Sequence, residues 1–88
     1  MKTVFLGSFL TDVKKLRDGK VQRAIASAID DVEKAPSLDQ IRSLKRLSGH
    51  ADYYRIRIGN WRIGLAIDRG TVIFVRCLNR REIYRFFP

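Results

Sequence analysis

YYRIRIGNWRIGLAI, residues 53–67, is the stretch that decides how this chain folds. On either side of Gly59-Asn60 every second residue is apolar: Tyr54, Ile56 and Ile58 before the pair, Trp61, Ile63, Leu65 and Ile67 after it. A period of two is the pattern of a strand with one buried face. A two-residue loop that begins with glycine suits a type I′ or II′ turn, so the segment predicts a β-hairpin. The loop length then fixes the register. Ile58 opposes Trp61, Arg57 opposes Arg62, Ile56 opposes Ile63, and Arg55 opposes Gly64.

That register sorts the residues into two faces. One face, from Tyr54 to Ile67, is apolar and belongs under helices. The other sets Arg57 directly across from Arg62, with Arg55 two residues along. Like charges opposite each other on a sheet are destabilising, and cross-strand pairs are worth roughly 0.2–1 kcal/mol. A phosphate bridging the pair turns the repulsion into charge-assisted hydrogen bonds. Gly64 and Ala66 lie on the same face and predict a shallow floor, open to close approach by a nucleic-acid strand.

Outward from the hairpin, Arg69-Gly70 marks a second turn into a strand over Thr71–Leu78, rich in valine, isoleucine and phenylalanine. An even loop there would put Arg76 on the apolar face with Phe74, which predicts a bulge or an edge position. Toward the N-terminus, Thr3–Leu6 has the composition of a short strand that stops at Gly7. Ser8 is placed to cap a short helix carrying Phe9, Val13 and Leu16, with Asp18-Gly19 at its end. Val21, Ala24, Ile25, Ala28, Ile29 and Val32 form one apolar stripe of a second helix, stopped by Pro36. The three-residue spacing of Leu38, Ile41, Leu44 and Leu47 predicts a further helical turn or two over 37–47. The expected fold class is α+β in one domain over residues 1–88. It has an N-terminal strand, two helices, then an antiparallel three-stranded meander, with the helices packed on one face of a single sheet.

The charge supports a polyanionic partner. Eighteen basic residues against nine acidic ones leave the chain at +9, a balance suited to nucleic acid, an acidic protein or anionic lipid. Residues 1–43 hold eight basic and six acidic groups, whereas residues 44–88 hold ten basic and three acidic, and nine of those ten are arginine. Arginine is favoured where planar, bidentate phosphate contacts are needed. Cys77 is the one cysteine and His50 the one histidine, so neither an internal disulfide nor a histidine–cysteine metal cluster is expected, and no cofactor is implied. No apolar run could span a bilayer, so no membrane role is expected and a reducing cytoplasm is the default location. After the last strand, Asn79-Arg80-Arg81-Glu82-Ile83-Tyr84 adds two cations and a phenol. Tyr84 could stack on a base, donate a proton, or anchor the tail; Phe86 and Phe87 are expected to be anchors.

The segments Leu44-Lys45-Arg46-Leu47-Ser48-Gly49, YYRIRIGNWRIGLAI (53–67) and VIFVRCLNRREIY (72–84) closely resemble the RelE branch of the RelE/ParE toxin superfamily. The likeness extends more weakly through FLGSFLTDVKKL (5–16). It implies the toxin of a type II toxin–antitoxin pair. Such a toxin has a cognate antitoxin as partner and cuts messenger RNA in the ribosomal decoding site by attack of a ribose 2′-hydroxyl on the adjacent phosphate. Carried over by position, the catalytic residues implied are Arg55, Arg57, Arg62, Arg80 and Tyr84. Lys45, Arg46, Tyr53, Arg81 and Arg85 are the further RNA-binding candidates. Some family members have a histidine where this chain has Asn79, and others have lysines in place of Arg55 and Arg57. Arginine stays protonated and is a poor general base. His50, Glu82 or a ribosomal group are left as candidates to activate the 2′-hydroxyl. Two other functions fit the same resemblance: a ParE-like inhibitor of DNA gyrase, and a member that binds RNA or antitoxin without cutting.

Overall fold

Alternating patterning on both sides of Gly59-Asn60 does produce the hairpin, and the rest of the sheet is built around it. The computed structural model describes residues 1–88. In chain order it contains β1 (Lys2–Phe5), α1 (Gly7–Lys14), α2 (Gly19–Lys34), a 3₁₀ turn (Leu38–Gln40), β2 (Leu44–Arg46), β3 (Tyr53–Ile58), β4 (Trp61–Asp68), β5 (Thr71–Asn79) and α3 (Ile83–Phe86). The five strands form one sheet in the order β1-β5-β4-β3-β2, with β1 parallel to β5 and every other pair antiparallel.

Ile58 pairs with Trp61, Arg57 with Arg62, Ile56 with Ile63 and Arg55 with Gly64, as the loop length requires. The positive φ falls on Gly59 alone (54°), which makes this a II′ turn. At the second turn both Arg69 (φ 50°) and Gly70 (φ 79°) are left-handed, the I′ form. One sheet face carries α1 and α2. Phe9, Ile25, Val32, Ile56, Ile63, Leu65, Val72 and Phe74 are buried between the layers, and Phe74 stacks on Phe5 with ring centroids 4.9 Å apart.

Three expectations are corrected. The first concerns 37–47, which holds only one 3₁₀ turn; Leu44–Arg46 is instead an edge strand paired with β3. Leucines and isoleucines three apart serve a tight turn and a strand as well as a helix. Second, Ser8 does not cap α1, whose N-cap position is Leu6. Its hydroxyl donates to the Val75 carbonyl at 2.6 Å and pins α1 to β5. Third, Asp18-Gly19 opens α2 rather than closing α1, and the Asp18 carboxylate accepts from the Lys20 backbone N–H.

The parity problem at Arg76 resolves as a bulge. Gly64 pairs with Arg76 but Leu65 pairs with Phe74, leaving Val75 as the extra residue. Arg76 is thereby turned off the apolar face and donates through Nε (2.8 Å) and Nη2 (3.1 Å) to the carboxylate of Asp12, which is 6% exposed. The same carboxylate accepts the Cys77 N–H at 2.9 Å. The Asp12 bonds hold the Arg76 guanidinium above its ordinary value, against the opposing effect of burial.

Candidate nucleic-acid interface

Strand alternation sends Arg55 and Arg57 of β3 and Arg62 of β4 to the sheet face away from α1 and α2. Burial pushes the Arg62 guanidinium below the ordinary arginine range, and repulsion from Arg57, Arg55 and Arg80 adds to it, while Tyr84 acts in the opposite direction. Four other residues that the sequence singled out thus act on the charge of Arg62. Arg62 bends back and donates to the carbonyls of Gly59 (2.7 Å) and Trp61 (2.9 Å). Arg55 reaches the Ser43 carbonyl at 3.4 Å.

None of these cations is neutralised. The protein has two side-chain ion pairs, Lys34–Asp30 and Arg76–Asp12, and neither involves this face. A cluster of arginines without carboxylate partners is costly to the fold, a cost that a bound anion would offset.

The edge strand divides the further candidates. Lys45 pairs with Arg55 and extends the cationic face, whereas Arg46 pairs with Tyr54 and belongs to the opposite one. There Arg46 donates to the Tyr54 hydroxyl through Nε and Nη2 (3.3 and 3.0 Å), its guanidinium 5.5 Å from the ring centroid. Arg46 is thus not brought to the cluster. Tyr53 pairs with Ala66 on the cationic face, with the rings of His50 (5.8 Å) and Phe87 (5.6 Å) edge-on to it.

Beyond β5, the Arg80 N–H donates to the Asn60 carbonyl at 2.7 Å, which ties the post-strand segment to the hairpin tip. Asn60, Asn79, Arg80, Arg81 and Glu82, polar residues alone, line a pocket of about 330 Å³. Glu82 is the one carboxylate in it, and the Asn79 side chain accepts the Arg81 N–H at 3.0 Å. Tyr84 is 59% exposed and is not an anchor. Arg85 is also exposed, on α3. Of the two phenylalanines expected to hold the tail, Phe87 is buried and Phe86 is half exposed, lying 5.8 Å from the Arg76 guanidinium.

The floor at Gly64 needs correction. Gly64 is buried, and a Cβ placed on it would lie 2.7 Å from the Phe87 ring. The ring occupies the space that the bare backbone was expected to leave open. Sequence reasoning missed this packing because nothing local to Gly64 announces a residue so far along the chain. Asn60 was missed as well; its glycine-asparagine context speaks only of a turn.

A five-stranded mixed sheet, with α1 and α2 on one face and arginines without carboxylate partners on the other, defines a small basic α+β protein. The family model described as "ParE toxin of type II toxin-antitoxin system, parDE" matches residues 4–84. A curated relative, toxin RelE3 of Methanocaldococcus jannaschii, is 37% identical over the full length of both chains. The toxin chain in the crystal structure of a RelB–RelE antitoxin–toxin complex from Methanococcus jannaschii superimposes with a TM-score of 0.81 at 35% identity, covering 97% of this chain and 99% of that one. The RelBE2 complex from Mycobacterium tuberculosis gives 0.68 at 25% identity, with 90% of each chain covered. This chain belongs to the RelE/ParE superfamily of type II toxins, in its RelE branch.

Proposed function

We propose that this toxin is an endoribonuclease that cuts messenger RNA in the decoding site of the ribosome. The observation that carries the reading is the set Arg55, Arg57, Arg62 and Arg80, gathered beside Tyr84 without a carboxylate partner. The 2′-hydroxyl attacks the adjacent phosphorus, forming a P–O bond as the bond to the 5′-oxygen breaks, and leaves a 2′,3′-cyclic phosphate and a 5′-hydroxyl. The arginines stabilise the charge of the pentavalent phosphorane with no proton transfer of their own. Tyr84, which is exposed, protonates the departing 5′-oxygen. Within the protein, Glu82 is the candidate to take the 2′-hydroxyl proton, because it shares the polar pocket with Arg80, whereas His50 packs against Tyr53.

Its partner is a cognate antitoxin, a reading supported by relatives solved as RelB–RelE complexes. Its place of action is the cytoplasm, where messages are translated; no helix is long and apolar enough to cross a membrane. The test is induced expression followed by primer extension on reporter messages. In-frame cuts should appear with the wild type and vanish with Arg62→Ala, while purified Arg62→Ala keeps its fold. A DNA-damage response with intact messages would replace this reading by gyrase inhibition. RNA binding without cleavage would leave a binding protein only.

A further inference from the structure

The contact between Phe87 and Gly64 does more than close the core. α3 is a single turn of four residues, and helices shorter than roughly 12 residues are marginal in water even with favourable sequences. Its geometry must therefore come from anchors. Ile83 is 0% and Phe87 2% exposed, and the Phe87 N–H donates to the Ile83 carbonyl at 2.8 Å. The Phe87 ring fills the place of the side chain that Gly64 lacks, with Cγ and Cδ2 2.7 Å and Cδ1 2.8 Å from where a Cβ would stand. Tyr53 meets the same ring edge-on at 86°. Between the two anchors Tyr84 is exposed, and Gly64 beneath the turn pairs with Arg55 and shares its face of β4 with Arg62, so the turn stands beside the arginines.

We propose that Phe87, seated on Gly64, is a positioning residue that holds the α3 turn so that Tyr84 stands at the arginine cluster. The inference rests on the RNA-cleaving function above. Phe87 is not a plug: it neutralises none of the arginines, and Tyr84 stays exposed with the ring in place. Gly64 is half of the device, because any side chain there evicts the ring.

Two substitutions break the contact from opposite sides, Phe87→Ala and Gly64→Ala, and Phe87→Leu partly restores the filled volume. Cleavage of ribosome-bound message is measured with each, along with binding of a labelled single-stranded RNA and the amide heteronuclear NOE over residues 83–86. Misplacing a reacting group by about an ångström costs on the order of 10²-fold. Phe87→Ala and Gly64→Ala should thus lower kcat by 10- to 100-fold, with KM and RNA affinity within about threefold of wild type. Phe87→Leu should recover most of the rate. Adding Phe87→Ala to Tyr84→Phe should cost nothing further, since the anchor acts only through the phenol. The NOE over 83–86 should drop in the alanine variants alone. Faster cleavage by Phe87→Ala, an independent loss in the double variant, or an unchanged NOE would each overturn the proposal. A wild-type protein that binds RNA but never cuts it sinks the cleavage function, and the NOE arm then decides the anchoring by itself.

Discussion

Replacing Arg62 by glutamine should make the protein more stable and a poorer RNA binder, two effects of opposite sign from one side chain. On the stability side, Arg62 faces Arg57 across the hairpin, with Arg55 and Arg80 adding to the repulsion. A like-charged cross-strand pair costs roughly 0.2–1 kcal/mol. Against that gain stand the two hydrogen bonds that Arg62 gives to the carbonyls of Gly59 and Trp61. Gly59 is exposed, so water replaces much of what is lost there. A net gain of about 0.5 kcal/mol raises the melting temperature by about 2–4 °C in a domain of this size. Screening lengths fall from about 30 Å at 0.01 M salt to about 3 Å at 1 M, so the gain should be present at low salt and absent at high salt. On the binding side, one charge-assisted phosphate contact is worth about 1.5–3 kcal/mol, or about 10- to 150-fold in affinity. Its loss should also reduce the slope of log affinity against log salt by about 0.7 for a single strand. Urea melts at 10 mM and 1 M salt, paired with anisotropy titrations of a labelled RNA, measure both. Destabilisation by more than about 1 kcal/mol at low salt, or RNA affinity equal to wild type, would refute the view that this cluster trades stability for anion binding.

Other expectations follow from placement and burial. Lys45→Ala should weaken RNA binding and lower the salt slope by about 0.7. Arg46→Ala should leave binding alone and instead free the Tyr54 hydroxyl; titrations on the two variants check the division of faces. Asp12→Ala removes the acceptor of three hydrogen bonds. It should cost about 3 kcal/mol and about 12–24 °C in melting temperature, discounted because Arg76 can still reach water. Asp30→Ala, in an exposed pair, should leave the urea midpoint unmoved. Burial, and next the charge of Asp12, push the Cys77 thiol from 9.0 up to about 12. Its thiolate fraction at pH 8 is then about 10³ lower than in the unfolded chain, and iodoacetamide labelling should be slower by at least about that factor until urea unfolds the protein. The same shift contributes stability below pH 9 that is lost as pH rises from 9 to about 12, because the unfolded thiol ionises first. Urea midpoints across that range should fall less steeply in Cys77→Ala.

The hairpin and its arginine pair were legible because strand parity and a two-residue loop leave no freedom. Once Gly59-Asn60 is a turn, Arg57 must meet Arg62. The bulge near Arg76 was legible for the same reason, as a parity that could not hold on a flat sheet. β2 was not, since three residues with one inward leucine carry no alternation to detect. Without β2 in place, nothing could assign Lys45 and Arg46 to opposite faces. Asp12 gave no signal, because an acid on a short helix looks like a solvated one until the bulge opposite supplies its donors. Gly64 misled for a physical reason: a missing side chain announces close approach, but sequence does not say by what.

The order of the strands in space also sets a clock on biosynthesis. β5 lies between β1 and β4, and β1 pairs with it across 69 positions of sequence, Lys2 against Thr71. While the chain is being made, β1, α1 and α2 emerge first and have no sheet to join, and the β3–β4 hairpin has only the short β2 beside it. The layers close once Thr71–Asn79 has left the exit tunnel, and Tyr84 is seated later still, when Phe87 follows. Nascent chains that lack β5 therefore lack the finished arginine surface, because β4 has no second neighbour until Thr71–Asn79 joins the sheet.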